Sequence, residues 1–405
     1  MERIELDERH PVRRLAAAAL LLVLGTGLLA YAFLNLLQPD SDWIKVQANS
    51  SAGPSCAEEF ILLYAPGAGG GSPTAERKEV TNLYTDLARR AYLLFHAGQP
   101  FEGVVNVYDL NRRPNAAVEV DPGFYAALEA VVDSGSRALY LGPVYNRYLD
   151  LFSCQDDVQL LDFDPRLSGE VAAEYKGVCA FANDPGAIGL ELLGENRVRL
   201  RVSEEYLDYA AAEGIEDFID FSWMTNAFAA DYIADGLAAG GYTHGALTSY
   251  DGFSRNLDSG GADFTFPLYS RQGDGIYIAA DLRYAGPKAF VALRDYPVNE
   301  RDEGRFYTLK NGERRTPYLD PADGLCRSAL PELVCSSRSL GCGEILLAML
   351  PAYAADRFDP KAPEMLKDRG IESFWWEGLT LHSTDAGADL GNFYSKDGVN
   401  FSAAR

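Results

Sequence analysis

Hydrophobic positions along this chain change period several times, and the changes mark its elements. In residues 218–252, Phe218, Ile219, Phe221 and Trp223 form a short apolar run that predicts a strand. Ala227, Phe228, Ala230, Ile233, Ala234, Leu237 and Ala238 then recur at helical spacing, with Asp231 and Asp235 one turn apart between them. Gly240 and Gly241 close that helix, and residues 243–247 return as a strand. This arrangement can present a helix N-terminus to an anionic ligand, and it equally describes an ordinary core unit.

Elsewhere the pattern alternates between the two periods. Residues 60–64 predict a strand, and the glycine-rich residues 66–73 a loop without the Gly-Lys-Ser/Thr ending of a phosphate loop. Val80, Leu83, Tyr84, Leu87, Ala91 and Leu94 predict an amphipathic helix over 76–95. Residues 104–110 predict a strand or turn closing at Asn111. Asp121 and Pro122 form the start of a helix that runs through Val132. Residues 154–200 are strand- and turn-rich, and a short helix over 204–212 leads into the central stretch. Strands follow at 276–278, 290–293, 306–309 and 318–319, then a buried helix over 342–353 and a strand over 374–381. With no internal repeat and no regular strand–helix alternation, the fold class is α+β: a single mixed-sheet domain.

Composition adds location. The 405 residues are 47% hydrophobic and 23% charged, as in globular proteins, with a net charge of −23. That charge excludes a nucleic-acid partner, which needs a basic surface. Residues 15–37 carry no charge and would span about 35 Å as a helix, enough for a bilayer core. Arg3, Arg9, Arg13 and Arg14 precede this segment, which places the N-terminus in the cytosol and the rest of the chain outside the membrane. The alternative is a signal peptide cleaved after Ala30-Tyr31-Ala32. The predicted organisation is a cytosolic segment 1–14, a transmembrane anchor 15–37, a linker 38–55, a domain 56–390 and a polar tail 391–405. Outside the cell six cysteines could form disulfides, with Cys154–Cys179 and one pair among Cys326, Cys335 and Cys342 favoured by spacing. No CxxC pair accompanies the four scattered histidines, so zinc is disfavoured.

Four segments in order resemble the FAD:protein FMN transferases of the ApbE type over roughly residues 59–386. Residues 104–132 look like the family's segment ending in Leu-Asn, with the helix after it. Residues 217–231 look like its strand and Lys-Gly-Tyr-Ala-Val-Asp helix start. Residues 319–324, Leu-Asp-Pro-Ala-Asp-Gly, look like its His-Ile-Ile-Asp-Pro-Arg-Thr-Gly turn, and residues 340–350 like its Ala-Asp-Ala-Leu-Ala-Thr-Ala-Leu helix. The resemblance implies an exported enzyme that uses FAD and Mg²⁺ to attach FMN to a Thr or Ser of an exported flavoprotein or electron-transfer complex.

The departures fall on the reaction site. The family's metal-holding Asp and Thr align with Gly343 and Leu347, with Glu344 the nearest acid. Its lysine aligns with Asn226, its turn histidine with Pro317 and another acid with Tyr140, whereas Asp231, Asp320, Pro321 and Gly324 are kept. Transfer of FMN breaks a pyrophosphate, and a metal and a cation normally stabilise the charge on the leaving phosphate. The resemblance therefore implies a degenerate, accessory or binding protein. The alternative is an active transferase with a rearranged Mg²⁺ site. The candidate residues are Asp320 for catalysis, Asn226, Asp231 and Asp251 for the flavin, and Glu344 for a metal. No Gly-x-Ser-x-Gly nucleophile motif is present.

Overall fold

The computed structural model describes residues 43–396 and 398–404. The predicted anchor 15–37 and the segment before it lie outside the described residues. Among the described residues no helix is long and apolar enough to cross a membrane.

A nine-stranded mixed sheet organises the molecule. Its strands, from one edge to the other, are Ile44–Val46, Phe60–Tyr64, Gly245–Ser249, Phe253–Asn256, Lys288–Arg294, Glu332–Ser337, Glu372–Glu377, Thr380–Ser383 and Ser402–Ala403. Neighbours pair antiparallel except the last two, which are parallel. Residues 44–46, from the stretch read as linker, and 402–403, from the stretch read as tail, supply its two edges.

The strand Lys288–Arg294 is buried along its whole length, because both faces of the sheet are covered. Side chains alternate across a strand. Ala289, Val291 and Leu293 enter the helical core, with Leu333 and Cys335 of the next strand. Phe290 and Ala292 enter a second core, with Val334, Phe374 and Leu282. That second core lies under a three-stranded sheet of Asp263–Gln272, Gly275–Ala285 and Asp389–Gly391.

Nine α-helices are described: α1 (Pro73–Phe95), α2 (Val107–Arg112), α3 (Pro122–Ser134), α4 (Gly142–Tyr148), α5 (Gly169–Ala182), α6 (Glu204–Glu213), α7 (Thr225–Ala239), α8 (Cys342–Tyr353) and α9 (Ala362–Lys367). The central helix is α7. Asn226, Ala227, Phe228, Ala229, Ala230, Ile233, Ala234 and Leu237 are buried, so its small side chains let α1, α8 and two strands close in around it. As expected, Asp121 caps α3: its Oδ1 accepts from the Gly123 amide at 2.9 Å.

Several expectations are corrected. Residues 107–112 are helical, because Asn106 and Asp109 form a reciprocal capping box at α2. The apolar run 218–223 is not a strand. The Asn111 amide takes the place of a pairing strand, donating to the Ile219 carbonyl at 2.9 Å and accepting from the Ile219 amide at 3.0 Å. A short 3-10 turn, Ser222–Met224, then leads into α7. Residues 154–200 include a long helix, α5, capped by Ser168. In the 306–309 run only Tyr307–Thr308 is a strand, and Leu319 makes one isolated bridge to Cys326.

All six cysteines are free thiols, so the expected disulfides are absent. Their positions explain it. Cys56 donates to the Ala88 carbonyl, Cys335 faces the Ser373 hydroxyl, Cys342 donates to the Ser254 carbonyl, and Cys326 faces Thr316. Each of these four sulfurs is turned to a partner other than cysteine. Burial pushes the Cys56, Cys179 and Cys335 thiols up to about 12, which keeps them protonated and inert.

Candidate functional site

A cleft of about 720 Å³ opens between α3, α7 and the N-terminus of α8. Asp231 lies at its base. Helix α8 starts with free backbone N–H groups, and the Asp231 carboxylate accepts two of them: Cys342 on Oδ1 and Gly343 on Oδ2, each at 2.8 Å. Arg255 closes the other side, pairing with Asp231 and, at 2.7 Å, with Asp235. Burial pushes the Asp231 carboxyl up, against the downward pull of Arg255 and the two amides. The approach depends on Gly341, where a Cβ would lie 2.5 Å from Asp231 Oδ2. Asp231 is thus a cap supplied to α8 by its neighbour.

Glu344 also lines the cleft, but its Oε2 accepts from the Gly341 amide at 3.0 Å and so seals the same helix end. The positions equated with the metal-holding Asp and Thr offer no ligand: Gly343 lines the cleft without a side chain, and Leu347 is not part of its lining. Gly343 sits under Phe228, where a Cβ would meet the ring at 2.6 Å. Leu347 is 3% exposed within the core. Among the described residues no group of three or more His, Cys, Asp or Glu side chains is placed to hold a metal ion. The residues present do not fit the magnesium site that the resemblance implies.

The charge of the cleft agrees with that misfit. The cations Arg255, Lys288 and Arg338 face Asp121, Glu129, Asp133, Asp235 and Glu344, besides Asp231. With carboxylates in excess, the cleft repels a pyrophosphate unless a cation accompanies it.

Asn226 and Asp251 come together in a second place. Asn226 Nδ2 donates to Asp251 Oδ2 at 3.0 Å, and the Arg305 guanidinium reaches the same oxygen. Both Asn226 and Asp251 are buried, and Asp251 Oδ1 has no partner. Arg294 and Glu332 face each other across adjacent strands of the same interior, with Arg294 Nε 3.9 Å from Glu332 Oε1. Burial pushes the Glu332 carboxyl up to about 8, so it holds a proton at neutral pH. Sequence reasoning missed Arg294, Arg305 and Glu332. The signal was present: Arg294 ends the Phe-Val-Ala-Leu run and Glu332 starts the Leu-Val-Cys run, charges at positions that a covered sheet buries.

Asp320 joins neither place. Its Oδ1 accepts from the Ala322 amide at 2.9 Å, and Arg327 ties Oδ2 at 3.1 Å to Asp323 and Asp356. That is the internal wiring of a turn. Tyr140 is also structural, with its hydroxyl accepting from the Leu190 amide at 3.1 Å and Arg137 over its ring.

No protein-family model matches the chain, and no curated protein matches it significantly. Solved structures do. The ApbE protein of Thermotoga maritima superposes with a TM-score of 0.53 at 13% identity, covering 82% of this chain and 94% of its own. The flavin transferase ApbE of Vibrio cholerae superposes with a TM-score of 0.51 at 12% identity, covering 86% of this chain and 96% of its own. At these identities the likeness is one of fold: this chain has a mixed α+β fold of the ApbE kind.

Proposed function

We propose that this protein is a catalytically degenerate relative of the FAD:protein FMN transferases. It acts as an exported, membrane-anchored accessory or binding protein of flavin or electron-transfer chemistry. The observation that carries this reading is the contact between Gly343 and Phe228. The helix face that would hold a metal is closed by an aromatic ring. Two further features support it. The amide at the lysine position, Asn226, is tied to Asp251 in the interior. The open cleft is rich in carboxylates and has its helix N-terminus occupied by Asp231. A metal or a preorganised cation commonly contributes several kcal/mol to such a transition state, and each 1.36 kcal/mol is about tenfold in rate.

The test uses the full chain with FAD, Mg²⁺ and an acceptor protein carrying the target Thr. Mass spectrometry is expected to find no covalent FMN on the acceptor, and chromatography no AMP above the level of the acceptor alone. Magnesium-dependent flavin transfer by the unmodified chain would overturn the reading, and Glu344 and Asp320 would then be the first acids to replace.

A further inference from the structure

A second cleft, of about 510 Å³, has the opposite character to the first. Arg166, Arg271, Arg314 and Arg327 line it, with Ser328 on the same wall, and its carboxylates are Asp274 and Asp295. In a chain of net charge −23, this lining sets four guanidinium groups against two carboxylates.

The arginines are not equally engaged. Arg327 is held by Asp320, Asp323 and Asp356. Arg271 grips both oxygens of Asp295, at 3.3 and 3.0 Å. Arg314 stands beside the same carboxylate as an ion pair, its Nη1 3.5 Å from Asp295 Oδ1. This buried nitrogen has no hydrogen-bond partner. Arg166 donates to the Cys326 carbonyl at 3.2 Å and, among the described residues, pairs with no carboxylate. Arg314 and Arg166 are therefore the guanidinium groups of this cleft with the least engaged donors, and the acceptor that suits them carries negative charge.

We propose that this cleft binds the oxyanion group, phosphate or carboxylate, of a small ligand. Arg314 and Arg166 are its contacts, while Arg271 and Arg327 are held rigid around them by Asp295 and by the Asp320 turn. The site is separate from the cleft at Asp231, and it gives the turn around Asp320 a use that needs no flavin chemistry.

The experiment is titration calorimetry of the full chain with inorganic pyrophosphate and, separately, with citrate. Saturable binding of at least one probe is expected, with a Kd at or below about 1 mM. The stronger probe identifies the phosphate or the carboxylate class. Arg314→Gln and Arg166→Gln should each weaken it about tenfold or more, and Asp274→Asn should tighten it. Arg166 is at the exposed rim, so its replacement remains informative if the Arg314 variant does not fold. No saturable binding of either probe, or unchanged affinity in the Arg166 variant, overturns the proposal.

Discussion

Asp231 and Gly341 are matched across two helices: the carboxylate of one occupies the space where a side chain on the other would be. A Cβ on Gly341 would stand 2.5 Å from Asp231 Oδ2, and the same carboxylate accepts the amides of Cys342 and Gly343. Asp231→Ala leaves two helix N–H groups without an acceptor and Arg255 with only Asp235. The expected loss of stability is about 2–4 kcal/mol. Gly341→Ala should lose stability for the steric reason alone. Denaturant unfolding of the two variants and the double variant checks the link. Because both changes break the same contact, their costs should sum to more than the cost of the double variant.

Placing an acid at the position aligned with the family's metal ligand should give no metal site. In Gly343→Asp the new Cβ meets the Phe228 ring at 2.6 Å, backed by the core around α7. Overpacking of this kind costs about 1–3 kcal/mol, and burying a carboxylate adds to it. Thermal melts should show a lower Tm and no rise on adding Mg²⁺. A magnesium-dependent rise in this variant would mean that α8 can turn its ligand face outward.

Glu332 should make stability fall as pH rises. Burial raises its carboxyl from an ordinary 4.5 to about 8 in the folded protein. Between those values the folded protein keeps a proton that the unfolded chain has released, so raising the pH favours unfolding. The slope approaches about 1.4 kcal/mol per pH unit for one group. Glu332→Gln removes this term. The variant should be less sensitive to pH between 5 and 8 than the unmodified chain and more stable above pH 8, as measured by denaturant midpoints at several pH values.

How much of this was legible in the sequence differs by element. Helix α7 was readable because Ala, Ile and Leu recur on several of its faces, and α8 because its apolar run is long and compact. The antiparallel order of the central strands was not, since pairing joins strands far apart in the chain, as Phe290 with Ser336. Among the candidate site residues, Gly343 and Asn226 were visible in the sequence as departures from the family's metal-holding Asp and lysine. What lay beyond the sequence was the reason: Phe228 over one and Asp251 beside the other. The four arginines of the second cleft come from distant segments and share no local pattern.

The run 218–223 reads as a strand in the sequence because its apolar residues alternate, while in the fold its partner is a side chain. Asn111 is 2% exposed, and both its amide groups are committed to Ile219, itself fully buried. The pairing sets where the chain enters α7. Asn111→Ala would strand a buried N–H and a buried C=O together. Each such orphan costs about 1–3 kcal/mol, so the loss should reach about 2–6 kcal/mol. Asn111→Asp keeps the acceptor for the Ile219 amide but sets a carboxylate oxygen against the Ile219 carbonyl at about the former 2.9 Å contact. It should therefore be no better than the alanine variant at neutral pH and should recover part of the loss in acid, where a protonated carboxyl can donate to that carbonyl. Amide exchange at Ile219 gives the local readout. Exchange should quicken in both variants, and it should slow again on acidification, relative to its intrinsic rate, in the Asp variant alone. Unchanged protection of Ile219 in Asn111→Ala would show that the run is held by its packing and not by the amide.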